Sequence, residues 1–355
     1  MLKLLNFINE HTDWEEKLSN DPYCIKIKRS EGLIILSYEI GADFNIDIVR
    51  ECRGIILDET DGYKPVCVPF FKFGNYGESY TDDIDWKTAR VQEKIDGSLI
   101  KVWHHKGVWR VSTNNTIDAA SAMTNSNEDT FLNIFLKAWA LTGKQFSDLN
   151  PDYTYLFELV SPQTRVVVPY METKLYHTGT RDNNTLKELY MDIGIEKPKE
   201  YTLSTIEACV EAAKKLDKYH EGFVVVDSRW RRIKIKSPIY VAIHHLLNNI
   251  ASEKRVIDLI VSGEDAEVVS YFPEYAEMFN SMRGQIDRFI AHNEQELEAI
   301  RSSGYSTQKE LAEYVTKTIC PACLFCVIKG KSKSVKDFVF SMPAQKMIDY
   351  LDKLQ

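Results

Sequence analysis

The sequence has no run of about 18 apolar residues, which excludes a hydrophobic helix long enough to span a bilayer. Met1-Leu2-Lys3-Leu4-Leu5-Asn6 meets Glu10 and Asp13 before the apolar core of a secretory signal can form, so a cytosolic protein is expected. Cysteines are few and odd in number: of seven, Cys24, Cys52, Cys67 and Cys209 stand singly in apolar surroundings, as reduced core thiols do. A disulfide framework is thereby excluded. Positive charge is in deficit, with 44 Lys and Arg against 52 Asp and Glu and a net charge of −8. That balance excludes a generally basic coat for nucleic acid. Internal repeats and low-complexity tracts are also absent.

What is present fits a soluble globular protein of about two domains: 355 residues, 44% apolar and 27% charged. The cations are clustered, with Arg229, Arg231, Arg232, Lys234 and Lys236 in one run and Lys329, Lys331, Lys333 and Lys336 in another. Clusters of this kind on an acidic protein suggest a focused anion site or groove. The spacing Cys320-Pro321-Ala322-Cys323-Leu324-Phe325-Cys326 could offer thiolates to a metal, but no second Cys or His pair completes a tetrahedral site. An apolar, metal-free segment is expected there.

Residues 1 to 20 read as one short amphipathic helix through Leu4, Leu5, Ile8 and Trp14. Strands are expected at 25 to 28, 33 to 36 and 54 to 57, with Arg53 opening the last and needing a partner. Lys72 is set among Phe70, Phe71 and Phe73, so its ammonium snorkels to water or meets a ligand charge. A hairpin is expected from Leu99–Trp103 and Val108–Thr113 around Lys106-Gly107, and a helix over 128 to 146 with Asn127 as N-cap. Tyr153–Val160 reads as a mostly apolar strand carrying one carboxylate, Glu158. His177, alone among apolar residues, reads as a satisfied histidine. Helical spacing returns over 204 to 219, then Glu221-Gly222 heads a buried strand, and alternation puts Lys234 and Lys236 on one face of the next. From about 240 the pattern is helical to the end, with a break at 320 to 333. The expected domains are therefore 1–240 and 241–355.

The stretch Glu93-Lys94-Ile95-Asp96-Gly97-Ser98 puts a lysine beside an acid, a glycine and a hydroxyl. A lysine amine attacks phosphorus only when neutral, and its ordinary pKa of about 10.4 means that burial or nearby cations must remove the proton. Gly97 lets the backbone approach a nucleotide, and Asp96 and Ser98 can hydrogen-bond a ribose or a phosphate. On its own, Lys-x-Asp-Gly suits a hairpin turn better.

Taken in order, however, Lys94-Ile95-Asp96-Gly97-Ser98, Phe157-Glu158 with Ser161-Pro162-Gln163-Thr164-Arg165, Glu221-Gly222-Phe223-Val224 and Lys234-Ile235-Lys236 resemble the bacteriophage RNA-ligase-1 family of ATP-dependent covalent nucleotidyltransferases. Cys52-Arg53-Gly54 and Phe71–Asn75 extend the likeness, which spans residues 33 to 240. The resemblance implies an α+β nucleotidyltransferase (ligase adenylation) domain of antiparallel sheets and flanking helices, followed by a mainly α-helical domain associated with RNA specificity.

It further implies that Lys94 forms a lysyl-adenylate with ATP, that the AMP passes to an RNA 5′-phosphate, and that an RNA 3′-hydroxyl then displaces it. Lys234 and Lys236 would hold the α-phosphate and help deprotonate Lys94. Arg53 and Lys72, with Tyr38 nearby, would hold the other phosphates. Glu93, Asp96 and Gly97 would belong to the nucleotide site, Glu158 would take the ribose hydroxyls, and Val224 would flank adenine. Glu221 would bind Mg²⁺, or Mn²⁺ in its place. The partner implied is RNA with 5′-phosphate and 3′-hydroxyl ends, a broken tRNA being one candidate, with an end-healing kinase and phosphatase upstream. Ser112-Thr113-Asn114-Asn115 departs from the family, which commonly has a basic residue there. The competing readings are a DNA ligase or capping guanylyltransferase, disfavoured by the helical tail, and a non-catalytic RNA-binding protein, disfavoured by the presence of both Lys94 and Glu221.

Overall fold

In a computed structural model of the protein, residues 2–124, 129–250, 252–263, 265–271, 273–303 and 307–354 are described. The apolar runs become strands β1 Ile25–Ser30, β2 Leu33–Tyr38, β3 Arg53–Asp58, β4 Lys64–Cys67, β5 Arg90–Glu93, β6 Ser98–His105 and β7 Val108–Ser112. They continue as β8 Tyr153–Val160, β9 Lys174–Asp182, β10 Glu188–Leu189, β11 Glu200–Tyr201, β12 Gly222–Val226 and β13 Arg232–Lys236. Three antiparallel sheets result, in the orders β1-β2-β3-β4, β10-β9-β8-β6-β7 and β11-β5-β12-β13. The chain divides into two compact units, Met1–His244 and His245–Gln355.

The continuous apolar runs of β2 and β3 follow from burial of both sheet faces. Ile34, Leu36, Ile55 and Leu57 pack on Leu4, Ile8, Trp14 and Leu18, whereas Leu33, Ile35 and Ile56 pack on Trp103. The N-terminal residues form two helices, Lys3–Glu10 and Trp14–Ser19, in place of the one expected. An extended residue, His11, separates them and lets both apolar faces reach the same core.

The second sheet buries Ile100, Val102, Phe157 and Leu159 against the helix Phe131–Leu141. That helix is shorter than expected and is capped by Thr130, whose hydroxyl accepts from Asn133 N; Asn127, the expected cap, lies outside the described residues. The β6–β7 hairpin turns at Lys106 and Gly107, both with positive φ (48° and 83°), as a tight two-residue turn needs.

Glu93 to Ser98 does not form a hairpin. β5 pairs with β11 and β12, whereas β6 pairs with β7 and β8, so no ladder joins the strands on either side of Lys94. Lys94–Gly97 is a strap crossing between two sheets. The Asp-Gly pair is a local turn cue, and the strand partners, which are distant in sequence, override it.

In the second unit the 27-residue helix Ala276–Ser302 buries Phe279, Met282, Ile286, Phe289, Ile290, Leu297 and Ile300 along one stripe. The helices Glu253–Ser262, Pro321–Ile328, Val335–Phe340 and Ala344–Leu354 pack against it. The break expected over 320 to 333 thus contains a helix. Pro321 at its first turn starts the helix, because its missing N–H is not needed there. All seven cysteines are free, and no group of three metal-ligating side chains occurs among the described residues. No helix among them is long and apolar enough to cross a membrane.

Candidate active site

The strap places Lys94 at the head of β12, where its N–H donates to the Gly222 carbonyl at 2.9 Å. Gly222 has φ +141°, and a Cβ there would stand 2.1 Å from the Ile235 carbonyl oxygen, so only glycine lets β12 and β13 close at this point. The β12–β13 register sets Gly222 opposite Lys236 and Val224 opposite Lys234. Three chain-distant charges meet as a result. Lys94 Nζ donates to Glu221 Oε2 at 2.6 Å, and Lys236 Nζ lies 3.0 Å from Glu221 Oε1. Glu221 is buried and acts as one carboxylate shared by two ammonium groups.

The segment Gly74–Tyr76 runs along the other edge of β13. Lys234 N donates to Gly74 O at 2.9 Å and Tyr76 N to Lys234 O at 2.7 Å. This brings the Phe73 ring between two cations, 5.2 Å from Arg53 and 5.2 Å from Lys234. Arg53 Nη1 is buried without an acceptor. Burial, reinforced by Lys72, Arg53, Lys94 and Lys236, lowers the Lys234 pKa to about 7. Arg53, Phe73, Lys94, Lys234 and Lys236, with Glu93, Ile95, Gly97, Glu158 and Val224, line a cleft of about 290 Å³. Its wall carries Arg53, Lys94, Arg232, Lys234 and Lys236 against Glu93 and Glu158, a positive balance on a chain of net charge −8. A polyanion with one hydroxyl-rich end suits such a wall.

The Glu158 carboxylate, on β8, makes no hydrogen bond among the described residues. Burial raises its carboxyl to about 7 against the pull of Lys94, with Glu221 adding to the rise. Between its ordinary value near 4.5 and about 7 the unfolded chain holds fewer protons than the folded one, so stability from this group is lost as pH rises through that window. Glu158→Gln removes the loss. Thermal unfolding from pH 4.5 to 7.5 should show the variant gaining on the wild type as pH rises, by at most about 3 kcal/mol. A gap independent of pH would refute the assignment.

Other expected site residues lie elsewhere. Asp96 does not face the cleft: its Oδ2 accepts from Val167 N and Val168 N at 2.8 and 2.7 Å, and its Oδ1 from the Tyr240 hydroxyl at 2.7 Å. It fastens the strap from behind and has no oxygen turned to a ribose. Lys72 lines an adjoining cleft with Arg50, Arg181, Arg229 and Arg231, its ammonium over the rings of Tyr38 and Phe44 at 5.1 and 4.6 Å. Gly97 runs close to β8, where a Cβ would meet the Leu159 carbonyl oxygen at 2.6 Å. His177 is a core residue beside the Thr180 hydroxyl, and burial lowers its pKa to about 4.

Phe70, Phe73, Gln92, Asn114, Thr178 and Arg232 line the cleft without having been singled out for a role. For Phe73 a signal existed in the Phe-Lys-Phe alternation. Thr178 carried none.

A family model described as RNA ligase matches residues 51–240, more than half of the chain. A protein of Autographa californica nuclear polyhedrosis virus, named as a bifunctional polynucleotide kinase/RNA ligase, is 31% identical over 71% of this chain. The chain spans 40% of that viral protein's length. An RNA ligase of Rhodothermus phage RM378 is 26% identical over 74% of this chain and 77% of its own. Among solved structures, an archaeal ATP-dependent RNA ligase aligns over 88% of both chains at 14% identity with a TM-score of 0.43. From the match across the strap, Glu158, Glu221 and the two lysines of β13, the chain belongs to the RNA ligase family.

Proposed function

We propose that the protein is an ATP-dependent RNA ligase joining 5′-phosphate to 3′-hydroxyl ends, with Lys94 as the nucleophile. The observation that carries this reading is the Lys94–Glu221–Lys236 triad, whose two lysines line a cation-rich cleft. Lys94 must release its proton to water before attack, because Glu221, the carboxylate within hydrogen-bond reach, would have to stay ionised to hold a metal. Nζ then forms a bond to the α-phosphorus of ATP as the bond to the bridging oxygen breaks and pyrophosphate leaves. Lys234 and Lys236 offset the charge that develops on the α-phosphate, and Arg53 takes the departing phosphates. An RNA 5′-phosphate oxygen next displaces Lys94 from phosphorus. Finally the 3′-hydroxyl attacks the RNA 5′-phosphorus and AMP leaves. Each step is a displacement in which position and charge neutralisation do the work.

The donor set fits Mg²⁺, which is commonly held by one or two carboxylates and substrate phosphates rather than by an all-protein cage. Glu221, whose two oxygens each already attract a cation, is the residue to hold it; Mn²⁺ would serve similarly. When bound, the ion supplies neutralisation of the phosphate oxygens. Glu158 and Val224, both in the cleft lining, are proposed to bond the ribose hydroxyls and to flank the base, respectively.

The helical second unit, with exposed Lys329, Lys331, Lys333 and Lys336, is proposed to select the RNA, a broken tRNA being the candidate. A kinase-phosphatase would supply the ends. Seven free thiols agree with a reducing cytosol. The substrate reading is tested on matched nicked duplexes. Sealing of a 5′-phosphate RNA end should exceed that of the DNA counterpart by roughly 10⁴-fold, the discrimination attained by a site built to hydrogen-bond a hydroxyl. Preference for DNA overturns it in favour of a DNA ligase.

A further inference from the structure

Lys101, on β6, is fully buried, and no carboxylate among the described residues accepts from it. Its ammonium donates instead to the Gly54 carbonyl oxygen. Burial lowers its pKa only to about 8, so the group remains a cation at neutral pH. An ammonium taken out of water without a counter-charge costs several kcal/mol on general grounds. Among the described residues no acid offsets that cost, and the Gly54 carbonyl is left as the hydrogen-bond acceptor.

The carbonyl that Lys101 holds belongs to the residue after Arg53. Gly54 has φ +78°, and a Cβ there would stand 2.4 Å from the Asn114 carbonyl oxygen and 2.9 Å from Lys101 Nζ. The Arg53-Gly54 elbow is thus gripped between an ammonium on one strand and a backbone carbonyl beyond the next. From this elbow the Arg53 side chain reaches the cleft, stacked on Phe73, with Nη1 buried and lacking an acceptor. Two adjoining cations, neither paired with an acid, share one elbow.

We infer that Lys101 is a positioning residue for nucleotide phosphate binding: by holding the Gly54 carbonyl it aims the Arg53 guanidinium at the anion in the cleft. Lys101 does not itself line that cleft and acts through Arg53. The inference rests on the ligase reading above, and deepens it by naming a residue outside the site.

The test measures the KM for ATP and kcat of self-adenylation, and separately the sealing of pre-adenylated RNA, which brings no triphosphate. Lys101→Met should raise the KM for ATP about 10-fold, the scale of one lost charge-assisted contact, with kcat within about 3-fold. Lys101→Gln can still donate to the Gly54 carbonyl and should recover KM to within about 3-fold of wild type. In the Arg53→Gln background, Lys101→Met should add nothing further, because the two act in series. Sealing of pre-adenylated RNA should be unchanged by either Lys101 substitution. Lys101→Thr, shorter and uncharged, takes the place of Lys101→Met if that variant does not fold. An unchanged KM, a Gln variant no better than Met, full additivity with Arg53→Gln, or parallel loss of sealing overturns the inference. A wild type that forms no adenylate overturns the ligase reading and this inference with it, whereas normal labelling with unmoved KM in Lys101→Met overturns this inference alone.

Discussion

Lys94→Ala protein incubated with α-labelled ATP and magnesium should carry no label after denaturing electrophoresis, a loss of at least about 10⁴-fold in adenylation, as expected when a covalent nucleophile is removed. The comparison of interest is with Lys234. Its ammonium, with the pKa lowered to about 7, is an easily neutralised amine in the cleft and so a chemical rival of Lys94. Geometry separates them. Lys94 is bonded through its backbone to Gly222 and through Nζ to Glu221, whereas Lys234 stacks on Phe73 beside Arg53, among the cations that would face phosphate oxygens. Lys234→Ala should therefore slow labelling by roughly 10² to 10³-fold, as loss of a charge stabiliser does, without abolishing it. Label that persists on Lys94→Ala and disappears from Lys234→Ala would exchange the two roles. Because the final step displaces AMP from RNA and not from lysine, Lys94→Ala should still seal a pre-adenylated end.

Glu221→Ala should show the second large effect. Removing this carboxylate leaves the Lys94 and Lys236 ammonium groups 2.6 and 3.0 Å from a missing partner, and it takes away the acid assigned to Mg²⁺. Adenylation should fall by roughly 10² to 10³-fold, with half-activation moved to higher magnesium concentration. Glu221→Gln separates two contributions: the amide can accept from one lysine but cannot neutralise both or hold the ion as a carboxylate does. It should recover folding and little rate. Adenylation of Glu221→Ala that is unchanged across a magnesium titration would refute both assignments.

Much of this architecture could be read before any coordinates. β2, β3, β8 and β12 are buried, and burial writes itself as uninterrupted Ile, Leu, Val and Phe. Lys94, Glu158, Lys234 and Lys236, picked out by their resemblance to the motifs of a ligase family, do line one cleft, and Glu221 is within reach of two of them. Orientation was not legible. Asp96 has the spacing of a ligand residue, yet two backbone N–H groups and a tyrosine behind the strap occupy it. Sheet membership was equally hidden, since nothing local to Asp96-Gly97 states that β5 and β6 choose different partners. Lys101 was masked by its neighbours: inside Leu99-Ile100-Lys101-Val102-Trp103 it reads as a snorkelling residue, and only the fold shows that it has no path to water.

The hydrogen bond from Tyr240 to Asp96 bears on how such proteins can be dissected and recombined. Tyr240 lies on the helix Pro238–Ile250, in the few residues between the end of β13 and the border of the first unit at His244. A module cut after Lys236 would carry every charged group of the cleft and still lose the latch that fixes the strap bearing Lys94. The useful seam for grafting a foreign module therefore falls after His244, with the first turn of the helix Pro238–Ile250 counted as part of the first unit.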